Sequence, residues 1–505
     1  KKEFHLGILK DNCGEYVGFK VSQVKQDLIK DFEKLGYVAK MFEPSGEVIC
    51  RCGTKCHVRI LKNQWFLKFS DERWKEKARI CLRRMKIFPE EARKNFEYTI
   101  EWLQDKACAR KTGLGTKLPW DKEWIVETLS DSVIYMAFYT IAKYLNSEKI
   151  EPDQLKDEVF DFIFLGKGND EEIAEKTGIS RGLLQKMRKE FEYWYGFDLR
   201  GSAKELIPNH LTFTIFHHVA IWENEKYWPR AFTVNGMLKI EGKKMSKSKG
   251  NFILLKDAVE KYGADVVRIS LMDSAEGLND ADWHEASALA WRKKLINFFN
   301  LVEENYNKGK EGEERKIDTW LISRFQHHIK KMTEHLEKVE NRSALTYFHF
   351  MLNDFLWYLK RTEEKNKKVV NYALEVMTKV LSLYAPFLCE EIWERMGKKG
   401  FICFSEWPSF DERKIDEKVM RQEEAFMKAC EDIKEVIKLS GKNEKLYLYV
   451  VNDEELSYYK EASKFLKKEL GFKEVHVFKV SDPEKYDPED KAKRAKFGKP
   501  GIYVE

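Results

Sequence analysis

Apolar side chains in "VSQVKQDLIKDFEKLG" recur at helical spacing: Val21, Val24, Leu28, Ile29 and Phe32 share one face, and Gly36 closes the run. That spacing predicts one amphipathic helix. Between residues 48 and 70, "VICRCGTKCHVRILKNQWFLKF" alternates apolar and polar positions around a Cys/Gly turn, which predicts a hairpin. A helical pattern over 121–150 leads into "GKGNDEEIAEKTGISRGLLQKMRKEFEYWY", the pattern of a small helical insertion. The β-branched and aromatic run "AFTVNGML" predicts a strand, and "LLKDAVEKYGADVVRISLM" has helical periodicity. Between them lies "EGKKMSKSKGN", residues 241–251, in the place where α/β folds hold ligands.

Beyond residue 285 the apolar spacing becomes that of long helices. Leu345, Phe348, Leu352, Phe355, Leu356 and Leu359 line one face, "YALEVMTKVLSLYAP" is expected to end at Pro386, and a bundle extends to about residue 425. From about 440, "KLYLYVV", "EASKFLKKEL" and "EVHVFKV" read as a βαβ-like unit followed by a basic tail. No repeat of 20 to 50 residues occurs. The pattern as a whole is α/β, then all-α, then a small α/β domain, and 505 residues suit three or four domains.

Composition changes this picture little. Ninety Lys and Arg against 84 Asp and Glu leave a net charge of +6, so only local clusters can argue for nucleic acid. No apolar run of about 18 residues is present and "KKEFHLGILK" lacks a secretory core, so a soluble, cytoplasmic protein with no membrane partner is expected. Nine scattered cysteines fit a reducing compartment. The first residue is Lys rather than Met, as in a fragment.

Four lysines between two glycines suit a triphosphate, whose oxygens gather charge during transfer. Lys247 and Lys244 are the candidates, with Met245, Ser246 and Ser248 between and beside them. A solvated basic loop is the alternative reading; a Walker loop is excluded, because G-x-x-x-x-G-K-[ST] is absent. Upstream, "RGSAKELIPNHLTFTIFHHVAIW" places Gly201, Glu205, Asn209 and His210 where a strand runs into a helix, a mouth that could hold a ribose. His210, His217 and His218 taken singly read as surface or core-satisfied histidines. Cys50, Cys52 and Cys56 in "CRCGTKC" have the look of a zinc knuckle lacking a fourth ligand, since His57 is too close to Cys56; unmetallated buried thiols are the alternative. In the tail, Lys491, Lys493, Arg494, Lys496 and Lys499 surround Phe497, which suits phosphates with one stacking surface, or else a solvated tail.

"KMSKS" at 244–248, followed by "GN" and "YGADVVRISLM", resembles the second signature of class I aminoacyl-tRNA synthetases. "GSAKELIPNHLTF", "WLQDKACARKTGLGTKLPW", "LSDSVIYMAFYTIAKY", "FDFIFLGKG" and "AKRAKFGKPGIYVE" resemble leucyl-tRNA synthetases of the archaeal and eukaryotic kind along nearly the whole chain. The resemblance implies a Rossmann-type catalytic domain in which Lys247 stabilises the departing pyrophosphate, Lys244 supports it, and Gly201, Glu205, Asn209 and His210 contact ATP. It implies ATP with Mg2+, leucine and tRNA(Leu) as partners, and zinc on Cys50, Cys52 and Cys56. It divides the chain into the end of an editing insertion (1–45), a connective segment with the Cys-rich hairpin (46–120), the second half of the catalytic domain (121–284), an anticodon-type helical domain (285–425) and a C-terminal tRNA-binding domain (426–505). The His-Ile-Gly-His signature of the family is absent, and "FHLGIL" at 4–9 does not replace it. The expectation is therefore the C-terminal portion of a leucine-activating enzyme, inactive without an N-terminal portion. The alternatives are a non-catalytic tRNA-binding or assembly subunit, and an isoleucyl, valyl or methionyl enzyme.

Overall fold

The computed structural model describes residues 6–39, 41–50, 52–245 and 250–505, which divide into two compact units. The smaller comprises Lys1–Leu67 and Lys106–Glu127. Its helix, Val21–Lys34, buries only Val24 and leaves Phe32 on the surface. The expected 48–70 hairpin is much shorter than the alternation suggests. Cys50 N donates to Thr54 O at 2.8 Å and Cys56 N to Val48 O at 2.8 Å, closing a tight turn at Gly53. Phe66–Leu67 then pairs antiparallel with Lys106–Ala107 instead. Alternation fixes which face is apolar but not which strand supplies the partner.

In the larger unit, Lys68–Asp105 with Thr128–Glu505, a three-stranded parallel sheet has Ala231–Asn235 at its centre, flanked by Lys86–Phe88 and Arg200–Ala203. The first strand lies in the segment expected to be connective, so this domain reaches further back than residue 121. Helix Glu72–Arg84, capped by Asp71 accepting from the Arg73 and Trp74 amides, packs on helix Thr212–Ile221, which is buried on nearly every side. The insertion forms as predicted: Asp170–Thr177, capped by Asn169, and Arg181–Trp194, capped by Ser180. The helical pattern expected from 121 begins only at Thr128, because Ile125–Val126 is a strand of the smaller unit.

A second sheet carries the chain from the first. Leu238–Ile240 pairs parallel with Ala281–Trp283 and antiparallel with Lys243–Lys244. The single helix expected over 254–272 breaks at Gly263, whose φ of +93° separates Leu255–Tyr262 from Ala264–Ser274. These helices share one core with the bundle, so Tyr262, Val267 and Trp283 pack with Trp320, Phe355 and Leu374 across the expected boundary at 285. In helix Asn341–Arg361 the predicted face is buried at Leu345, Phe348 and Phe355, but Leu356 faces solvent. Pro386 opens the helix Pro386–Arg395, where its missing N–H costs nothing, and the preceding helix ends at Leu381.

The expected boundary at 425 also falls inside a helix, Glu417–Ser440. Its Val419 and Met420 pack on the bundle, whereas Phe426, Cys430 and Ile433 belong to the core of the C-terminal α/β unit. There Lys445–Val450 lies between Glu474–Lys479, parallel, and Gly501–Val504, antiparallel. The expected tail is thus part of the sheet. Glu423 on the shared helix is fully buried, 3.5 Å from Arg361 Nε, and accepts from Trp357 Nε1 at 2.7 Å and from the Tyr458 hydroxyl. Removing one member of a buried charge pair strands the other, at about 3–5 kcal/mol. Arg361→Met is therefore expected to destabilise the protein by that amount in denaturant unfolding, and Arg361→Met/Glu423→Met by much less.

His218, on helix Thr212–Ile221, sits between Thr214 O at 2.7 Å and the Tyr195 hydroxyl at 2.8 Å. Burial holds it down at about 4, against an ordinary value of 6.5. The unfolded chain therefore takes up the proton first, and stability that is complete above pH 6.5 is lost as pH falls toward 4. The loss is about 3 kcal/mol over that window. Denaturant unfolding measured between pH 7 and pH 4.5 should show this slope, and His218→Asn should flatten it.

Candidate functional site

All three parallel strands end at one cleft of about 750 Å³ in the larger unit. Phe88 and Pro89, Ala203 and Glu205, and Asn235 and Gly236 line it, so it lies at the carboxyl ends of the strands, where open α/β sheets hold ligands. The second sheet contributes Met237, Leu238 and Ala281, and the bundle closes one side with Lys338 to Asn341. Glu276 fastens that side by accepting from Ser343 N at 3.1 Å and Ser343 Oγ at 2.6 Å.

The lysine segment reaches the cleft through a two-residue hairpin. Ile240 pairs with Lys243 and Lys239 with Lys244, and both intervening residues have positive φ, Glu241 at +49° and Gly242 at +75°. That is the backbone a tight antiparallel turn demands. The turn is held from below: Asp282 accepts from Gly242 N at 2.9 Å and 3.0 Å, and Glu241 accepts from His284 Nδ1 at 2.9 Å. On the far side Asn251 Nδ2 donates to Lys244 O at 2.9 Å, joining the two ends of the loop.

Lys244, Met245 and Glu205 line the cleft together. Among the described residues neither Lys244 nor Glu205 has an ion-pair partner, which leaves a cation for phosphate oxygens and an acceptor for hydroxyls. Ser246, Lys247 and Ser248 lie outside the described residues. Gly201 occupies its flanking strand, but its face meets Thr233 rather than the cleft. Asn209 Nδ2 donates to Glu205 O at 3.3 Å at the surface, and His210 Nε2 lies 2.7 Å from Arg200 Nη2. Burial and then the Arg200 charge hold His210 below its ordinary range, so it is neutral at pH 7. Among the described residues its Nδ1 and Nη1 of Arg200 are buried without hydrogen-bond partners. Gly201, Asn209 and His210 thus do not line the cleft: Gly201 lies within the flanking strand, and Asn209 and His210 in the helical turn are engaged by Glu205 O and Arg200. His217 and His218 are core-satisfied. Glu91, Asn235, Asn279 and Lys338 line the cleft and were not foreseen; they belong to no local pattern and meet only through the fold.

Cys50 and Cys52 are exposed and Cys56 half-buried, so the alternative of buried thiols does not hold. Among the described residues no three His, Cys, Asp or Glu side chains gather as a metal requires, and the three cysteines do not fit a zinc by themselves. In the C-terminal unit, Lys491–Arg494 forms one short helical turn whose Lys491 and Ala492 amides donate to Asp487. Three of the five basic residues meet acids: Lys491 with Glu489 at 3.1 Å, Lys493 with Asp490 at 2.6 Å and Lys499 with Asp432 at 3.9 Å. Arg494 and Lys496 have no such partner among the described residues and line a groove of about 680 Å³ with Lys442, Lys491 and Lys499. Phe497 is 79% exposed and faces a different hollow.

The family model "tRNA synthetases class I (M)" matches residues 34–303, and "Anticodon-binding domain of tRNA ligase" matches residues 318–450. The leucine–tRNA ligase of Archaeoglobus fulgidus is 44% identical over 455 residues, covering 90% of this chain and 48% of that protein. That of Methanocaldococcus jannaschii is 45% identical over 457 residues, covering 90% and 48%. The chain spans about half the length of the curated relatives it matches. A solved methionyl-tRNA synthetase of Mycobacterium tuberculosis, in complex with methionyl-adenylate, aligns with a TM-score of 0.48 at 16% identity, covering 71% of this chain and 68% of that one.

Gly236 sets the width of the cleft. A Cβ there would stand 2.0 Å from Asn279 O and 2.7 Å from Asp280 N, both backbone. Overpacking of this kind costs about 1–3 kcal/mol. Gly236→Ala is expected to lower the unfolding free energy by that amount and to raise hydrogen exchange at 277–283, measured by mass spectrometry.

Proposed function

The chain belongs to the class I tRNA synthetase family, and we propose that it is part of a leucine–tRNA ligase, which activates leucine with ATP and transfers it to tRNA(Leu). The observation that carries the reading is identity above 40% to archaeal leucine–tRNA ligases along nine-tenths of the chain. The rest of the active site, with the His-Ile-Gly-His signature, would come from polypeptide outside these 505 residues, as a preceding segment or a companion subunit.

In the first step an oxygen of the leucine carboxylate attacks the α-phosphorus of ATP. The bond to the β-phosphate breaks, and pyrophosphate departs carrying the charge. Lys247 meets that charge and Lys244, at the cleft wall, supports it; ammonium groups aimed where charge develops are the larger part of such catalysis. Glu205 accepts from ribose hydroxyls, while Met245 and the hydroxyls of Ser246 and Ser248 complete the clamp. Gly201, Asn209 and His210 act from behind, through the shape of the 201–210 segment, with the unpartnered His210 and Arg200 nitrogens open to a further donor or acceptor. Mg2+ accompanying ATP neutralises phosphate oxygens. Zinc on Cys50, Cys52 and Cys56 requires ligands from outside this set, and no step passes through it.

In the second step a terminal ribose hydroxyl of tRNA attacks the activated carbonyl and AMP leaves. The bundle and the C-terminal unit supply the RNA contacts, with Arg494 and Lys496 as the unpaired cations, and Lys491, Lys493 and Lys499 able to exchange acids for phosphates. Among the described residues no helix is long and apolar enough to cross a membrane, and the reading places the enzyme in the cytoplasm. Against a non-catalytic RNA-binding subunit stands the retained lysine hairpin with its braces from Asp282 and Asn251. Against an isoleucyl, valyl or methionyl enzyme stands the identity to leucine enzymes.

The test is ATP–pyrophosphate exchange by this chain joined to its missing portion, with leucine, isoleucine, valine and methionine. Exchange should depend on leucine, and Lys247→Ala should reduce it about 100-fold or more while leaving tRNA affinity within about twofold. Exchange with another amino acid alone, or none at all, would overturn the assignment.

A further inference from the structure

One carboxylate joins the two halves of the cleft. Asp280 stands between Asn279 and Ala281, both in the cleft wall. One of its oxygens accepts from Met237 N at 3.0 Å and lies 2.7 Å from Lys204 Nζ; the other lies 3.2 Å from Lys239 Nζ. Lys204 also donates to Leu278 O at 3.0 Å, so it is held at two points. These partners belong to two segments: Lys204 to one, and Met237 and Lys239, two residues apart, to the other. Lys204 immediately precedes Glu205 in the short helical turn that carries it. Lys239 is the antiparallel partner of Lys244 across the hairpin. Met237 N belongs to the link between the two sheets, next to Gly236.

The side chains of Lys204, Asp280 and Lys239 are 37%, 25% and 41% exposed. Ion pairs this wet add little to stability. Their value lies elsewhere: three donors converging on one carboxylate fix the distance and angle between the segments that bear them. The hydrogen bond from Lys204, the Met237 amide and the hydrogen bond from Lys239 all hold the Asp280 carboxyl well below the usual range, so the clasp is charged at every physiological pH.

We propose that Asp280 is a positioning residue of the nucleotide site, fixing the Lys244 hairpin relative to the Glu205 turn so that both address one bound ATP. The proposal rests on the ATP-dependent reading above. Asp280 touches no reacting atom in it; it acts through Lys239 on the hairpin and through Lys204 on the ribose side. A misplacement of about 1 Å between two such groups is enough to cost about 100-fold in rate.

The experiment compares leucine-dependent ATP–pyrophosphate exchange by the complete enzyme and by its Asp280→Asn variant, with active sites titrated and thermal unfolding measured on the same samples. The expected result is a kcat per active site about 10- to 100-fold lower, KM for leucine nearly unchanged, and an unfolding midpoint within a few degrees of the parent. Lys239→Met should reproduce part of the loss, and it carries the test if Asp280→Asn does not fold. In a Lys244→Ala background Asp280→Asn should cost less than in the parent, because the part of its effect that passes through Lys239 and the hairpin is already lost. Unchanged kcat, a loss that follows the active-site fraction, or full additivity with Lys244→Ala would overturn the proposal. Silence of the unmutated enzyme would instead refute the ligase reading itself, and the proposal with it.

Discussion

The close approach of Gly236 to the backbone at Asn279 is the constraint on which the rest of the site depends. At Gly236 the central strand of the parallel sheet leaves one sheet and, after Met237, enters another. The absence of a side chain lets the returning 277–281 segment lie against it, with Gly236 N donating to Gly277 O at 3.2 Å. Only because that contact is tight does Ala281–Trp283 align with Leu238–Ile240 and carry Asp282 beneath the hairpin turn. The lysine hairpin then projects over the ends of the parallel strands instead of away from them.

A second constraint ties the catalytic sheet to the helices that follow. The helices from 255 to 274 have no core of their own; their apolar faces complete that of the bundle. The cleft therefore has the bundle as one wall, with Glu276 and Ser343 as the fastening. Further along, one helix, Glu417–Ser440, serves two cores in succession, and the buried Glu423 with Arg361 marks the point where they meet. The outer domains are thus joined to the cleft through packed helices.

Much of this was legible in the chain before folding is considered. The lysine segment, the 201–213 stretch, the insertion and the βαβ character of the C-terminal unit all declare themselves through local spacing, caps and turn residues, which act within a few positions of one another. The strand Lys86–Phe88 did not, since three residues are too few to show a period. Gly263 and Pro386 were misread for a related reason. A helical repeat continues in phase through a break, and a proline is equally at home after one helix and at the first turn of the next. Of the basic residues of 491–499, Lys491 and Lys493 meet the neighbouring Glu489 and Asp490, whereas Asp432, which faces Lys499, is distant in sequence and could not be read from the tail itself.

By itself, then, the sequence determined the type of each long element, the presence of a triphosphate-suited lysine loop and the family resemblance, because each of these is written in neighbouring residues. Which residues line the cleft was decided by the tertiary structure. Glu205 and Lys244 reach the cleft while Gly201, Asn209 and His210 do not line it, and Asp280 meets residues 41 to 76 positions away in the chain. Convergence of that kind depends on strand register and on the rotation of a single helical turn, quantities set by long-range packing and not by local pattern.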